Sequence, residues 1–396
     1  MSAMIHVLMI SRDPTLIFQP EGDSRRRHLN YAALAGRLTI VTHTPPGAGE
    51  TVAASPHLTI IPTNSRHKAL YVADAVRLAL AAARREPVDL IATQDLFTTG
   101  LAGVWLRRRL RVPLLVQNHS FVFGNRVWLN ERPVYHRLLR ALGLFTLRQA
   151  DFYRTVNQAE RDMFIKLTGL ADRAVALPLG TASPEFARSF APGELDALRA
   201  RLGLTAGHRV VLWVGYPARV KRVPLLLRAF ARVAEALPAA RLLVVGDLSR
   251  SPDDLPALAQ ALGVGGQVVF QPAVPHHELP VFYALADVYV HVSAYEGAGR
   301  VLFEAGAAGL PLVGMDVTGV NEVIEDGVNG CLVPDGDIET FSARVVELLT
   351  DRARARALGE QARRIAFERY AADAYAQNWV QAWQTAVERG LRPARR

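Results

Sequence analysis

Short apolar runs rich in β-branched residues alternate along the chain with longer stretches of helical spacing. That alternation predicts parallel sheets covered by helices. In the first half the runs predict strands at 5–10, 38–42, 58–61, 88–92, 113–117, 152–156 and 175–177, with helices at 66–85, 98–109 and 133–148. The rhythm breaks at Pro178-Leu-Gly-Thr-Ala-Ser-Pro184 and again at Ala191-Pro-Gly193, which places a junction at 180–205. The second half resumes with strands at 209–214, 241–245, 267–270, 287–292, 311–315 and 330–333. Its helices include 194–201, 224–237, 254–262 and 301–308, and 338–388 reads as almost all helix, with Trp379 and Trp383 on one face. No short-period repeat interrupts this order. The expectation is an α/β protein of two open parallel-sheet halves around a cleft, with ligands at the carboxyl ends of the strands.

The 396 residues are 50% apolar and 21% charged, which excludes a disordered, collagen-like or coiled-coil chain. One cysteine, Cys331, excludes a disulfide framework and a Cys-rich metal site, and its apolar surroundings read as core. No run has the ~18 uncharged apolar residues of a membrane span. The N-terminus reads as a buried strand rather than a secretory signal, so a cytoplasmic location is expected.

Charge is unevenly placed along the chain. Residues 1–190 carry 24 Lys/Arg and 14 Asp/Glu, a net of +10, leaving 22 and 23, a net of −1, for the remainder. The asymmetry suggests an anionic partner for the first half, an anionic membrane surface or a lipid-phosphate acceptor; solvated helix faces in an Arg-rich chain explain it equally well. The basic clusters lack a recognisable binding motif and regularly interleaved aromatics, so no nucleic acid is expected.

Two loops carry candidate chemistry. The first, Ser293-Ala-Tyr-Glu296-Gly297-Ala-Gly299-Arg300, follows an apparent strand and opens a helix that contains Glu304 and ends at Gly309. Such a unit aims free amides at a phosphate, while Glu296 and Glu304 accept hydrogen bonds from sugar hydroxyls. Together these describe a nucleotide sugar. Taken alone, Glu296 also fits a helix cap and Glu304 a surface ion pair. The second loop, Gly215-Tyr-Pro-Ala-Arg219-Val-Lys221-Arg222, puts three cations at a helix start, where an anion would relieve their conflict with the helix dipole. A solvated basic turn is the plain alternative.

These residues, with Gly319-Val-Asn-Glu322 through Asp337, Val245-Gly246-Asp247 and Glu278…Asp287, resemble the signature of glycosyltransferase family 4, retaining enzymes of the GT-B fold in the glycogen-synthase-like group. The resemblance spans most of 209–345. In the first half it is looser: Pro113-Leu-Leu-Val-Gln-Asn-His119 resembles the strand that ends in a cleft-facing His, and Gly22-Asp23-Ser24-Arg25 stands where the family has a glycine-rich loop. The family's usual Gly-Gly pair is missing from that loop, and two further positions depart from the pattern, with Tyr216 in place of an Arg and Ala298 in place of an aromatic residue.

The resemblance implies two Rossmann-like domains with parallel sheets facing each other across a central cleft: an acceptor-binding domain over 1–190, a nucleotide-sugar-binding domain over 191–375, and a C-terminal helix, 376–396, that packs back on the first. It implies that Glu304 binds the ribose hydroxyls and Glu296 the sugar. Lys221 and Arg219 neutralise the diphosphate with the amides of Gly299 and Arg300 beside Gly297, and Phe270 flanks the base. His119 sits at the reacting sugar, and Gly22, Asp23 and Asp95 lie on the acceptor side. The implied reaction is hexosyl transfer with retention from a nucleotide-diphosphate sugar to a lipid-linked, cell-envelope or polysaccharide acceptor, peripheral to the inner membrane face, with no metal and no further cofactor. A soluble glycoside or sugar-phosphate synthase, a nucleotide-sugar epimerase and a non-catalytic sugar-nucleotide-binding subunit remain as alternatives. Asp335-Gly-Asp337 has the form of a metal-binding pair but falls in a turn, and reads as structural.

Overall fold

The computed structural model describes residues 4–178, 180 and 182–391. They form two compact units: one built from the chain up to Pro178 together with Asp373 onward, the other from the residues between.

The first unit holds eight strands: β1 (Ile5–Ser11), β2 (Gly36–Thr42), β3 (Val52–Ser55), β4 (Leu58–Pro62), β5 (Leu90–Thr93), β6 (Leu114–Gln117), β7 (Phe152–Thr155) and β8 (Ala174–Ala176). Their order is β3-β4-β2-β1-β5-β6-β7-β8. All neighbours run parallel except β3, an antiparallel edge strand on β4. The periodicity of the sequence did not disclose β3, because Val-Ala-Ala-Ser is too short and weakly apolar to read as a strand. The helix Asp23–Ala35 is likewise not marked by hydrophobic spacing, since its first turns are Asp-Ser-Arg-Arg-Arg-His. The central strands are wholly buried, as runs such as Ile-His-Val-Leu-Met-Ile-Ser require of a sheet covered on both faces. The helix Ala372–Arg389 completes this unit: Trp379 stacks on Tyr31 at 5.5 Å, and Trp383 lies edge-on to the same ring.

The second unit holds six parallel strands: β9 (Arg209–Val214), β10 (Ala240–Val245), β11 (Val268–Gln271), β12 (Val288–His291), β13 (Leu312–Met315) and β14 (Gly330–Val333). Their order is β11-β10-β9-β12-β13-β14. The topology reverses between β9 and β12, which pair directly, Val211 opposite Val288. A crevice at the carboxyl ends of two such strands is where open α/β sheets bind ligands. Helix Val223–Ala236 follows β9 and buries Leu226, Leu227, Phe230 and Val233 against the sheet. The long helical tail is three helices, Ile338–Thr350, Arg352–Tyr370 and Ala372–Arg389, interrupted at Asp351 and Ala371.

Candidate active site

Both candidate loops of the second unit leave the strands that flank its topological switch point. After β9 the chain turns at Gly215 and runs through the short 3-10 turn Arg219–Lys221 into helix Val223–Ala236. Gly246, at the end of β10, leaves no room for a side chain, because a Cβ there would lie 2.0 Å from the Gly215 carbonyl oxygen. After β12 the chain passes Ser293–Gly299 into helix Arg300–Ala308.

Arg222 staples the two loops together. Its guanidinium donates to the carbonyls of Val292 and Ser293, both at 2.7 Å, and to Asp335 at 2.6 Å. The third cation of the basic loop is therefore a brace between the two loops. Arg219 is exposed and makes no ion pair with another described residue. Asp337 caps the helix Ile338–Thr350, accepting from the Thr340 amide and hydroxyl. Among the described residues no group of three His, Cys, Asp or Glu side chains is placed to hold a metal.

Glu296 is the centre of the arrangement. One carboxylate oxygen, Oε1, accepts from Lys221 Nζ at 2.5 Å and meets His291 Nε2 at 2.8 Å. Its amide donates to Thr318 at 2.9 Å, and Gly319 (φ +84°) closes over it, so a Cβ at Gly319 would lie 2.3 Å from the Glu296 carbonyl oxygen. Burial would raise the Glu296 pKa. The hydrogen bond and charge of His291, with Lys221, outweigh it and hold the carboxyl well below the usual range. Lys221 and Glu296 are thus in direct contact, one residue from each loop.

Glu304, on the second turn of helix Arg300–Ala308, is buried. Its Oε1 lies 3.1 Å from His276 Nε2 and 3.9 Å from an Arg300 guanidinium nitrogen, and Oε2 accepts from the Tyr283 hydroxyl at 3.0 Å. The rings of Tyr283, Tyr289 and His291 follow one another at 5.9 and 6.3 Å. This ladder links Glu304 at its Tyr283 end to Glu296 at its His291 end. The Tyr289 hydroxyl in the middle is buried, as is the Ser293 hydroxyl after the strand. Gly297 is half-buried, Gly299 is buried at φ +58°, and Arg300 opens the helix. Phe270, on β11, does not join this group. It lines a hollow of about 410 Å³ with Gly246, Asp247, Leu248, Pro272 and Ala273. Tyr216, in place of the family's Arg, packs its ring 4.5 Å under the Arg250 guanidinium, which pairs with Asp247.

In the first unit, His119 follows β6, exposed at one edge with its ring packed among neighbouring groups. Its Nδ1 is 3.4 Å from Arg154, and its ring stacks at 6.4 Å on Trp379. The crowding of neighbouring groups, then the charges of Arg154, Arg27 and His28, lower its pKa, so the imidazole is neutral at pH 7. With Arg154 facing Nδ1, the proton belongs on Nε2. Arg154 is fully buried on β7 and has no acidic partner among the described residues. It donates to the Leu177 carbonyl at 2.6 Å and the Tyr375 hydroxyl at 2.8 Å, and lies 4.1 Å over the Trp379 ring. The remaining acceptor-side candidates have local partners: Gly22 precedes helix Asp23–Ala35, Asp23 pairs with Arg27 at 3.0 Å, and Asp95 accepts from the Phe97 and Thr99 amides. Asp95 thus holds the start of helix Thr98–Leu110.

Sequence reasoning missed His291, His276, Tyr283, Tyr289 and Arg154. A signal existed for His291 alone: a histidine closing an otherwise apolar strand, as His119 follows β6.

A two-unit α/β fold with paired basic and acidic loops at a strand crossover defines a class that comparison with known proteins makes specific. Residues 30–181 match the model of Glycosyltransferase Family 4 and residues 196–365 that of Glycosyl transferases group 1. The chain belongs to the glycosyltransferase family 4 of GT-B enzymes. It is 32% identical over 307 residues to the D-inositol 3-phosphate glycosyltransferase of Mycolicibacterium smegmatis, covering 75% of this chain and 68% of that one. It is 34% identical over 266 residues to the protein of that name from Segniliparus rotundus, covering 66% of this chain but 58% of the relative's length. Among solved structures, the sucrose-phosphate synthase of Thermosynechococcus elongatus superposes with a TM-score of 0.78 at 24% identity, over 96% of this chain and 98% of the other. Anabaena HepE in complex with UDP and glucose superposes at 0.77 with 19% identity, over 96% and 100%.

Proposed function

We propose that the chain transfers a sugar, with retention and without a metal, from a nucleotide-diphosphate sugar to an anionic acceptor that is lipid-linked or part of the cell envelope. The observation that carries the reading is the clasp of Lys221, Glu296 and His291 at the strand crossover, with the exposed Arg219 beside it. Support for the donor comes from HepE, which was solved with UDP and with UDP-glucose.

In the proposed step, the bond between the sugar's anomeric carbon and the diphosphate oxygen breaks, and the nucleoside diphosphate leaves with the electron pair. The acceptor oxygen bonds to that carbon on the same face, and its proton passes to the departing phosphate oxygen. Lys221 and Arg219 stabilise the charge that develops on the diphosphate, the kind of contribution that dominates such sites. Glu296 and Glu304 have lone pairs left for sugar and ribose hydroxyls. His119, neutral with Nε2–H, is the first-unit residue assigned to the reacting sugar. Phe270 and the hollow it lines are assigned to the base.

A second reading, a soluble phosphorylated acceptor, is favoured by the relatives named for D-inositol 3-phosphate and by sucrose-phosphate synthase. Transfer from radiolabelled nucleotide sugars to a lipid extract and to soluble sugar phosphates tests both, with the product anomer read by NMR. Retained configuration, and a loss of ~10²–10³ in turnover for Lys221→Ala, is expected. An inverted product, or unchanged turnover in both Lys221→Ala and Glu296→Ala, contradicts the proposal.

A further inference from the structure

The helix Pro133–Gln149 presents the wrong side to water. His136, Gly143, Thr146 and Leu147 bury its inner face. On the opposite face Val134, Leu138, Ala141 and Phe145 recur at i, i+4, i+7 and i+11, and all four are exposed. Val134 is 74% and Leu138 66% exposed, and Tyr135 stands beside them. A surface helix ordinarily turns its polar face outward, so a continuous apolar stripe marks an interaction site. The stripe is firmly seated. His136 stacks on Trp128 at 4.2 Å beneath it, and Thr146 packs so tightly against Gly100 that a Cβ there would lie 2.6 Å away. The neighbouring helix Thr98–Leu110 exposes Trp105 as well.

The charge around the stripe selects the occupant. Residues 101–150 contain nine Arg and one acidic residue, Glu131. Arg126, Arg132 and Arg137 are exposed and make no ion pair with another described residue, and Arg108, Arg109 and Arg111 are exposed on the adjoining segment. A second copy of the chain is disfavoured, because a two-fold interface would set these arginines against their own counterparts. An anionic bilayer satisfies both halves of the pattern: the apolar side chains enter the headgroup boundary, Trp and Tyr suit that boundary, and the arginines meet lipid phosphates. No helix among the described residues is long and apolar enough to cross a membrane.

We infer that the outward face of helix Pro133–Gln149, with its flanking arginines, lies on the surface of an anionic membrane and holds the first unit there. The inference deepens the lipid-acceptor reading and rests on it for the acceptor, but not for the docking itself.

Flotation of the full chain with vesicles of phosphatidylglycerol and phosphatidylethanolamine, against phosphatidylcholine alone, tests it. Binding to the anionic vesicles alone is expected, falling as salt rises from 50 to 500 mM. Leu138→Asp with Phe145→Asp should lose at least about tenfold in partition, and Arg132→Gln with Arg137→Gln a comparable factor. Circular dichroism and nucleotide-sugar thermal shifts of the variants report whether they remain folded and whether the donor site is intact. Equal flotation of wild type and folded variants overturns the inference, as does failure of the wild type to bind anionic vesicles. A wild-type dimer that the Leu138→Asp, Phe145→Asp variant dissociates also overturns it. Loss of donor binding with flotation intact would count against the enzymatic proposal alone.

Discussion

A carboxylate as enclosed as that of Glu296 stays ionised only when its lost hydration is compensated, and the hydrogen bonds of His291, at the end of β12, and Lys221, in the loop after β9, supply that compensation. A folded-state pKa held below the ordinary value of about 4.3 stabilises the protein at every pH above that value, and the contribution fades as pH falls further. Glu296→Gln should therefore lower the melting temperature most near pH 7, with the gap to wild type closing below about pH 4. The same reasoning applies in reverse to Glu160. Burial raises its pKa to about 7, although it accepts from the Val122 and Phe123 amides and from Asn118. An acid that binds its proton more tightly when folded loses stability as pH rises between about 4.5 and 7. Glu160→Gln should flatten the melting temperature across that window, whereas a wild-type slope retained in the variant would place the titration elsewhere. Arg154→Met should raise the His119 pKa toward the ordinary value of ~6.5 and release its tautomer, both read from imidazole 15N shifts.

At the scale of elements, the site depends on loops that touch only because glycines let backbones approach. Gly319, at φ +84° and pressed on the Glu296 carbonyl, has no space for a methyl group. Gly319→Ala should cost about 1–3 kcal/mol by denaturant melting and weaken donor binding with it. An alanine variant of wild-type stability would show that this approach is not required. Most of the elements were legible in the chain, because buried parallel strands are written as continuous apolar runs and the basic and acidic loops follow them directly. What was not legible has a common cause. Glu304 finds His276 and Tyr283 across 28 and 21 positions, and Lys221 finds Glu296 across 75. Those partners are set by crossovers between strands, which local periodicity does not encode. His291 was hidden by its own strand, whose other residues, Val-Tyr-Val, read as core. The edge strand β3 and the helix Asp23–Ala35 had too little hydrophobic contrast to be seen.

At the scale of the whole molecule, the last helix belongs with the first unit, although the chain reaches it through the second. Tyr375, Trp379 and Trp383 enclose Tyr31 and Arg154, so the aromatic side chains also shelter a buried cation without a carboxylate. Trp379→Ala removes that shelter and leaves a cavity, at an expected cost of about 3–5 kcal/mol. Hydrogen exchange should locate the loss in the strands of the first unit, with those of the second protected as before; uniform loss would mean that the helix serves both alike. The charge division follows the same line, with the excess of positive charge in residues 1–190 and the paired basic and acidic loops in the remainder.

Titration calorimetry of the full chain with UDP-glucose and related nucleotide-diphosphate sugars, and with the matching nucleosides, in wild type and Lys221→Met, tests whether the Lys221–Glu296 clasp holds a sugar nucleotide. Wild type is expected to bind at least one of these sugar nucleotides, Lys221→Met to bind it at least tenfold more weakly, and both to bind the uncharged nucleoside equally. Equal binding of the sugar nucleotide by both proteins, or no binding of any member of the panel by wild type, would contradict it.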